Sequence, residues 1–316
     1  ACSELAVERG IDLYLLNRGH SQQRPIPPAA HVLHADVYDP AAARAALDGH
    51  TFDAVVQWIA FGPERIAADL DLFRGRVGQY IFISSASAYQ KPIQRLPITE
   101  ETPLENPFWA YSRQKIACEA ALMAAHRDEG FPATIVRPSH TYDRTLLPIH
   151  GRYTVVDRMR RGAPILIHGD GTSLWTLTHH RDFARAFLGL LGEPRAIGEA
   201  FHITSDESLT WDQIARLVGE AAGVEPILVH VPSEDIARYD ADWGSSLLGD
   251  KTHSVLFDNS KIRRIVPDFA AEIPFAAGAR EIMAWYDADP ARQTVDDDFN
   301  ALLDRIIAAQ RAAHPG

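Results

Sequence analysis

Cysteine is scarce in this 316-residue chain: Cys2 and Cys118 stand far apart, and neither belongs to a metal-ligand spacing. That excludes a cysteine-based metal cluster and points to a reducing, cytoplasmic home. Long apolar runs are missing as well. No stretch approaches the roughly 18 residues that a membrane helix needs, and no signal peptide is visible at the start. Positive charge is short: 31 Lys and Arg face 42 Asp and Glu for a net charge of −11, and only four residues are lysine. A field of that sign opposes general affinity for nucleic acid or an anionic membrane, although a local basic patch could survive it. The 14 histidines include His179-His180 but lack a cysteine or carboxylate at zinc spacing, so no metal is expected. What is present, 46% hydrophobic and 23% charged residues, is the composition of a soluble globular protein long enough for two linked cores.

Apolar strands and helices alternate along the first half. A helical pattern ends at Gly10, followed by a strand from Ile11 to Leu16, a strand at His31 to His34 and a helix at Ala41 to Leu47. Phe52 to Ile59 and Tyr80 to Ile83 read as buried strands either side of a helix near Glu64 to Phe73. A helix around Tyr111, closed by Gly130, precedes a strand at Ala133 to Val136. This order predicts an α/β fold with a doubly wound parallel sheet, whose ligands bind at the carboxyl ends of the strands. Later come a helix at Asp182 to Leu191, a strand at Phe201 to Thr204, and a helix at Trp211 to Ala222 capped by Thr210.

The chemistry is concentrated between Ser84 and Lys115. Ser84-Ser85-Ala86-Ser87 ends the Tyr80 strand, and Tyr111 and Lys115 lie four apart on one face of the next helix. A free phenol has a pKa near 10 and is a poor base at neutral pH. An ammonium close by favours the phenolate, so Tyr111 becomes a proton acceptor from a substrate hydroxyl that Ser85 holds in place. The alternative is that Tyr111 and Lys115 are two helix-surface residues; chance supplies about 0.1 such pairs in a chain of this composition, and the serine cluster sharpens the catalytic reading. Cys118 shares their stripe as a small buried thiol.

These residues resemble those of the NAD-dependent epimerase/dehydratase family, the extended short-chain dehydrogenases/reductases. Ser85 and Tyr89 match its Ser-x3-Tyr pattern, and Tyr111 and Lys115 its Tyr-x3-Lys pair. Asp36-Val37 resembles the pair that holds adenine, Ile59-Ala60 the small residues lining the dinucleotide, and Arg137-Pro138-Ser139-His140-Thr141-Tyr142 the segment that passes under the nicotinamide. Leu15 to Gly19, Asp170 to Asp182 and Leu256 to Lys261 look like an atypical bacterial subgroup distantly similar to chloroplast stem-loop binding proteins. The resemblance implies a Rossmann domain over residues 1–145, to which 176–204 return, and a substrate domain of 146–175 and 205–316. It also implies a homodimer paired through helices flanking the sheet, the Tyr111 helix among them.

Departures from the family pattern refine these expectations. The family's glycine turn, whose amides cradle the pyrophosphate, does not occur in this sequence; the expectation is that it and the first strand lie upstream, and that this chain binds dinucleotide weakly. Asn17-Arg18 stands where an acid would accept the ribose 2′-hydroxyl, which favours NADP over NAD unless Arg18 merely caps a loop. Ala86-Ser87 replaces the acidic pair of sugar dehydratases. Trp175 replaces an arginine that pairs with a nucleotide diphosphate, and either packs a domain interface or stacks on substrate. His140 either touches substrate or is satisfied within its loop. The function expected is an NAD(P)-dependent epimerase or oxidoreductase acting on a sugar-like hydroxyl or carbonyl, with Ser85, Ser87, His140 and Trp175 toward substrate. Asn17, Arg18, Asp36, Val37, Ile59, Ala60, Tyr111, Lys115, Pro138 and Ser139 would face the cofactor. The alternative is a non-catalytic Rossmann-fold binding protein for RNA or a cofactor sensor.

Overall fold

The computed structural model describes residues 1–20 and 24–313. The amino-terminal part opens with α1 (Cys2–Glu8), β1 (Tyr14–Asn17), β2 (His31–His34), α2 (Pro40–Ala46), β3 (Phe52–Gln57), α3 (Pro63–Phe73) and β4 (Val77–Ile83). It continues with α4 (Ala110–Glu129), β5 (Ala133–Pro138) and β6 (His140–Tyr142). α2 begins where Asp39 accepts hydrogen bonds from the Ala41 and Ala42 amides with Pro40 at the first helical position, and α4 ends on Gly130 at φ 72°.

Further along lie α5 (Tyr153–Arg160), β7 (Ile165–His168), β8 (Leu174–Trp175), β9 (Leu177–His179), α6 (His180–Leu188) and β10 (Ala200–Ile203). The remainder comprises β11 (Leu209–Thr210), α7 (Trp211–Ala222), β12 (Leu228–Val231), α8 (Ser233–Tyr239), α9 (Ala241–Ser246), α10 (Ser260–Ile265), α11 (Phe275–Asp287) and α12 (Asp297–Ala313). No helix among the described residues is long and apolar enough to cross a membrane.

The central sheet has the parallel order β10-β5-β4-β3, with Tyr80 level with Ala133 and Ile83 with Val136. Alternation along β4 sorts its side chains between two layers. Tyr80 and Phe82 pack with Ile66, Cys118, Leu122 and Phe131 on the α3/α4 side, whereas Ile81 and Ile83 meet Phe183, Phe187 and Phe201 on the α6 side. β1 and β2 pair in parallel as a separate ribbon. β1 lies beside β3 without a ladder between them: the Tyr14 ring sits edge-on 5.5 Å from Phe52, and Leu16, Leu33, Leu47 and Leu72 fill the layer beneath. Among the described residues, one edge of β1 and one of β3 carry no strand ladder.

The expected elements are present with shifts of a few residues. β1 starts at Tyr14 rather than Ile11, and α6 runs from His180 rather than Asp182. Asn106 caps the turn before the Tyr111 helix, accepting from the Phe108 and Trp109 amides, while the helix begins at Ala110. A second core gathers Tyr142, Val156, Trp175, Trp211, Ile214, Phe275 and Ile282 around α5, α7 and α11.

Candidate active site

The parallel register places the ends of β3, β4 and β5 along one rim. Just past β4, Ser85 accepts from the Ser87 amide at 3.2 Å, and the two hydroxyl oxygens are 2.9 Å apart. Ser112 on α4 donates to the Ser87 oxygen at 2.8 Å. Ser85 in turn lies close enough to the Tyr111 phenol to pull its pKa down, so the serine hydroxyls lead from inside α4 towards the phenol. Ser85, Ser87 and Tyr111 line a cavity of about 800 Å³ together with Pro138, Ser139, His140 and Trp175. Seven of the residues expected at the site thus share one wall, although they span 91 positions of sequence from Ser85 to Trp175.

Lys115 takes a different place. Its ammonium donates to the Ala60 carbonyl at 2.8 Å and the Ile83 carbonyl at 2.9 Å, tying the end of β3 to the end of β4. It lies 5.8 Å from the centroid of the Tyr111 ring. Burial lowers its pKa to about 8, with the Cys118 and Glu119 side chains opposing the shift. The Tyr111 phenol is pushed above its ordinary value, chiefly by burial and secondarily by the Asp250 carboxylate, while Ser85 pulls it down. Lys115, expected to acidify Tyr111, directs its protons at backbone carbonyls here and is not among the groups that shift the phenol.

Beneath the serines lies a buried ionic lattice. Glu119 on α4 accepts from the Arg137 guanidinium at 2.6 Å and from the Ser84 hydroxyl. The Tyr89 ring stacks 4.9 Å from that guanidinium, and its hydroxyl donates to His202 Nδ1 at 3.0 Å, whose Nε2 donates to the Asp258 carbonyl at 2.8 Å. Tyr89, matched to the family's serine-tyrosine pattern, is therefore a core residue.

Of the residues expected toward a dinucleotide, Tyr111, Pro138 and Ser139 line this cavity, whereas Asn17, Arg18, Asp36, Val37, Ile59 and Ala60 lie at strand ends outside its lining. Asn17 ends β1 and accepts from the Gly19 amide at 2.7 Å, while the exposed Arg18 lies 3.7 Å from Asp36. Asp36 also accepts from the Tyr38 amide, and the Val37 carbonyl accepts from Arg65. The Tyr38 hydroxyl donates to the Ile59 carbonyl at 2.6 Å. Ala60 is fully buried under Lys115, whereas Trp58, Ile59 and Phe61 are 44%, 45% and 52% exposed, an unusual apolar rim beside those edges of β1 and β3. Ser139 donates to the Thr176 carbonyl. These strand ends present polar and apolar groups, and the sequence contains no glycine turn of the family's pattern.

Trp175 and His140 belong together. The indole N–H donates to His140 Nδ1 at 3.1 Å, and burial lowers the His140 pKa to about 3, so the ring is neutral at physiological pH. Several residues at this cavity were not expected: Trp109, Asp250 and Lys251 line it, and Asn106 donates to the carbonyls of Ser87 and Gly249. Nothing in the local sequence around Asn106 couples it to a segment 143 residues away.

A parallel sheet wound with helices, bearing a tyrosine and serine hydroxyl pair at its carboxyl rim, defines a Rossmann-type protein. The profile of the NAD-dependent epimerase/dehydratase family matches residues 1–204, and the chain belongs to that family. It is 28% identical over 246 residues to the chloroplast stem-loop binding protein of 41 kDa b from Arabidopsis thaliana, covering 72% of this chain and 61% of that one. It therefore spans less than two thirds of that relative's length. It is 26% identical over 257 residues to 2′-dehydrokanamycin reductase from Streptomyces kanamyceticus, covering 80% of this chain and 71% of the reductase. An epimerase structure from Methanothermobacter thermautotrophicus superposes with a TM-score of 0.76 at 16% identity, covering 92% and 89% of the two chains, which shows a shared fold.

Proposed function

We propose that the chain is the catalytic part of an NAD(P)-dependent epimerase or oxidoreductase acting on a hydroxyl or carbonyl of a sugar-like small molecule. The observation that carries the reading is the Ser85–Tyr111 hydroxyl pair on the wall of a cavity large enough for a sugar. Ser85 holds the reacting oxygen and Tyr111 exchanges its proton, drawing on the hydroxyls of Ser87 and Ser112 behind it. Lys115, released from the Ala60 and Ile83 carbonyls, would meet the nicotinamide ribose. NAD(P), when bound, supplies the hydride acceptor or donor. In this reading residues 1–145 and 176–204 take the cofactor, and 146–175 and 205–316 take the substrate. Pro138 and Ser139 lie at the nicotinamide end, Asp36, Val37, Ile59 and Ala60 at the adenosine end.

Arg18, exposed at the end of β1, favours NADP. Arg18→Ala should weaken NADP more than NAD in a form of the protein that binds cofactor; equal loss for both would refute a phosphate role. In a form of the protein that binds cofactor, replacing Tyr111 by Phe should cut turnover by about 10²–10⁴-fold with cofactor affinity nearly unchanged. Retained turnover would remove the tyrosine from the mechanism.

The stem-loop binding relative favours a second reading, a non-catalytic Rossmann-fold protein that binds RNA. The net charge of −11 opposes it. RNA binding that weakens steeply with salt, together with no nicotinamide absorbance change on any sugar, would establish it.

A further inference from the structure

Residues Leu247–Lys251 form a π-helical turn, closed by a Thr252 amide that donates to the Leu247 carbonyl five residues back at 3.0 Å. Such turns recur at functional sites. This one is gripped from several sides. Asn106 donates to the Gly249 carbonyl at 2.6 Å, and His168 Nε2 and the Ser173 hydroxyl both donate to the Lys251 carbonyl, at 3.1 and 3.2 Å. A Cβ on Gly249 would stand 2.5 Å from that of Trp109, so the turn presses against the segment that leads into Tyr111.

The turn delivers Asp250 and Lys251 to the cavity wall that also holds Ser85 and Tyr111. The Lys251 ammonium lies over two indole faces, 5.4 Å from Trp109 and 5.8 Å from Trp175. Its nearest carboxylate, Asp250, is 3.7 Å away, and the buried Lys91 approaches the same carboxylate at 3.8 Å. Two ammonium groups thus share one carboxylate, and neither closes a short hydrogen bond to it. The solvent-exposed Arg152 and the Asp296 carboxylate also line the cavity, so its wall carries two cations and two carboxylates. Burial holds the His140 pKa at about 3 and that of His168 at about 4, so neither adds charge at neutral pH. An ammonium that no carboxylate holds closely, in an aromatic-walled cavity, is stabilised by an incoming anion.

We propose that Lys251 is a specificity-determining residue that holds an anionic substituent, a carboxylate or a monophosphate, on a sugar ring stacked against Trp109 and Trp175. The inference rests on the sugar-like substrate of the proposed function and adds the charge that substrate must bear. Tryptophan fluorescence of the whole chain, titrated with D-glucuronate, D-glucose 6-phosphate and D-glucose, tests it, and the two charged sugars separate a carboxylate from a phosphate. At least one charged sugar should bind about tenfold more tightly than glucose. Lys251→Gln should abolish that preference and Lys251→Arg should keep most of it. Asp250→Asn, which frees Lys251 from its competing carboxylate, should raise affinity for the charged sugar, a gain that a folding defect would not produce. Equal binding of charged and neutral sugars, no binding of any of the three, a preference that survives Lys251→Gln, or weaker anion binding in Asp250→Asn would each overturn the proposal. Its failure is distinct from failure of the catalytic reading, which is read from turnover in Tyr111→Phe and not from charge preference.

Discussion

The phenol of Tyr111 sits between opposing influences, and each has an address. Burial and the Asp250 carboxylate disfavour the phenolate; the Ser85 hydroxyl favours it. Ser85→Ala should therefore raise the Tyr111 pKa, measured as tyrosinate absorbance against a Tyr111→Phe background; an unchanged or lower value would mean that Ser85 does not reach the phenol. Lys115 offers a second titration. Its folded pKa of about 8 lies below the ordinary lysine value of 10.5, so the unfolded state binds more protons between those two values. Stability contributed through Lys115 then rises as pH climbs from about 8 toward 10.5 and is lowest below that window. Urea denaturation of the wild type and Lys115→Met should show the wild type gaining relative stability across it, and a flat difference would contradict the buried ammonium.

Elements position these groups by local devices with separable costs. Thr210 accepts from the Gln213 amide, and the Gln213 side chain accepts from the Thr210 amide, a reciprocal cap that starts α7 where Trp211 enters the second core. Thr210→Ala should cost about 1 kcal/mol in urea unfolding with little change in the slope of the transition. Gly249 serves tertiary contact: its missing Cβ lets the π-helical turn meet Trp109. Gly249→Ala should cost roughly 1–3 kcal/mol by overpacking and should loosen the cavity beside Tyr111, seen as a shift in tryptophan emission. An unchanged emission and stability would mean that the turn yields freely. The cap was legible in the sequence as Thr-x-x-Gln before an apolar run, since capping is a contact between near neighbours. The π-helical turn was not, since it is held by Asn106, His168 and Ser173, all distant in sequence.

For the molecule as a whole, the sheet's interruption between β1 and β3 matters most. Dinucleotide sites of this fold join strand ends to amides that cradle phosphate, and this chain supplies the strand ends without a glycine turn. Fluorescence titration of NADPH or NADH into the chain should give a dissociation constant of about 1 mM or weaker. Tight binding would show that another segment holds the phosphates.

Composition and periodicity determined by themselves that this chain winds helices around a parallel sheet, that the Tyr80 strand ends in serines, and that Tyr111 and Lys115 share a helix face. Those features follow from side-chain spacing within one element, which a chain cannot alter without changing its sequence. Only the tertiary structure decided that Lys115 binds the carbonyls of Ala60 and Ile83, that β1 and β2 stand apart from β3, and that Asp250 and Lys251 line one cavity with Tyr111. Burial, distance and competing partners set those outcomes, and such quantities exist only once segments remote along the chain have packed together.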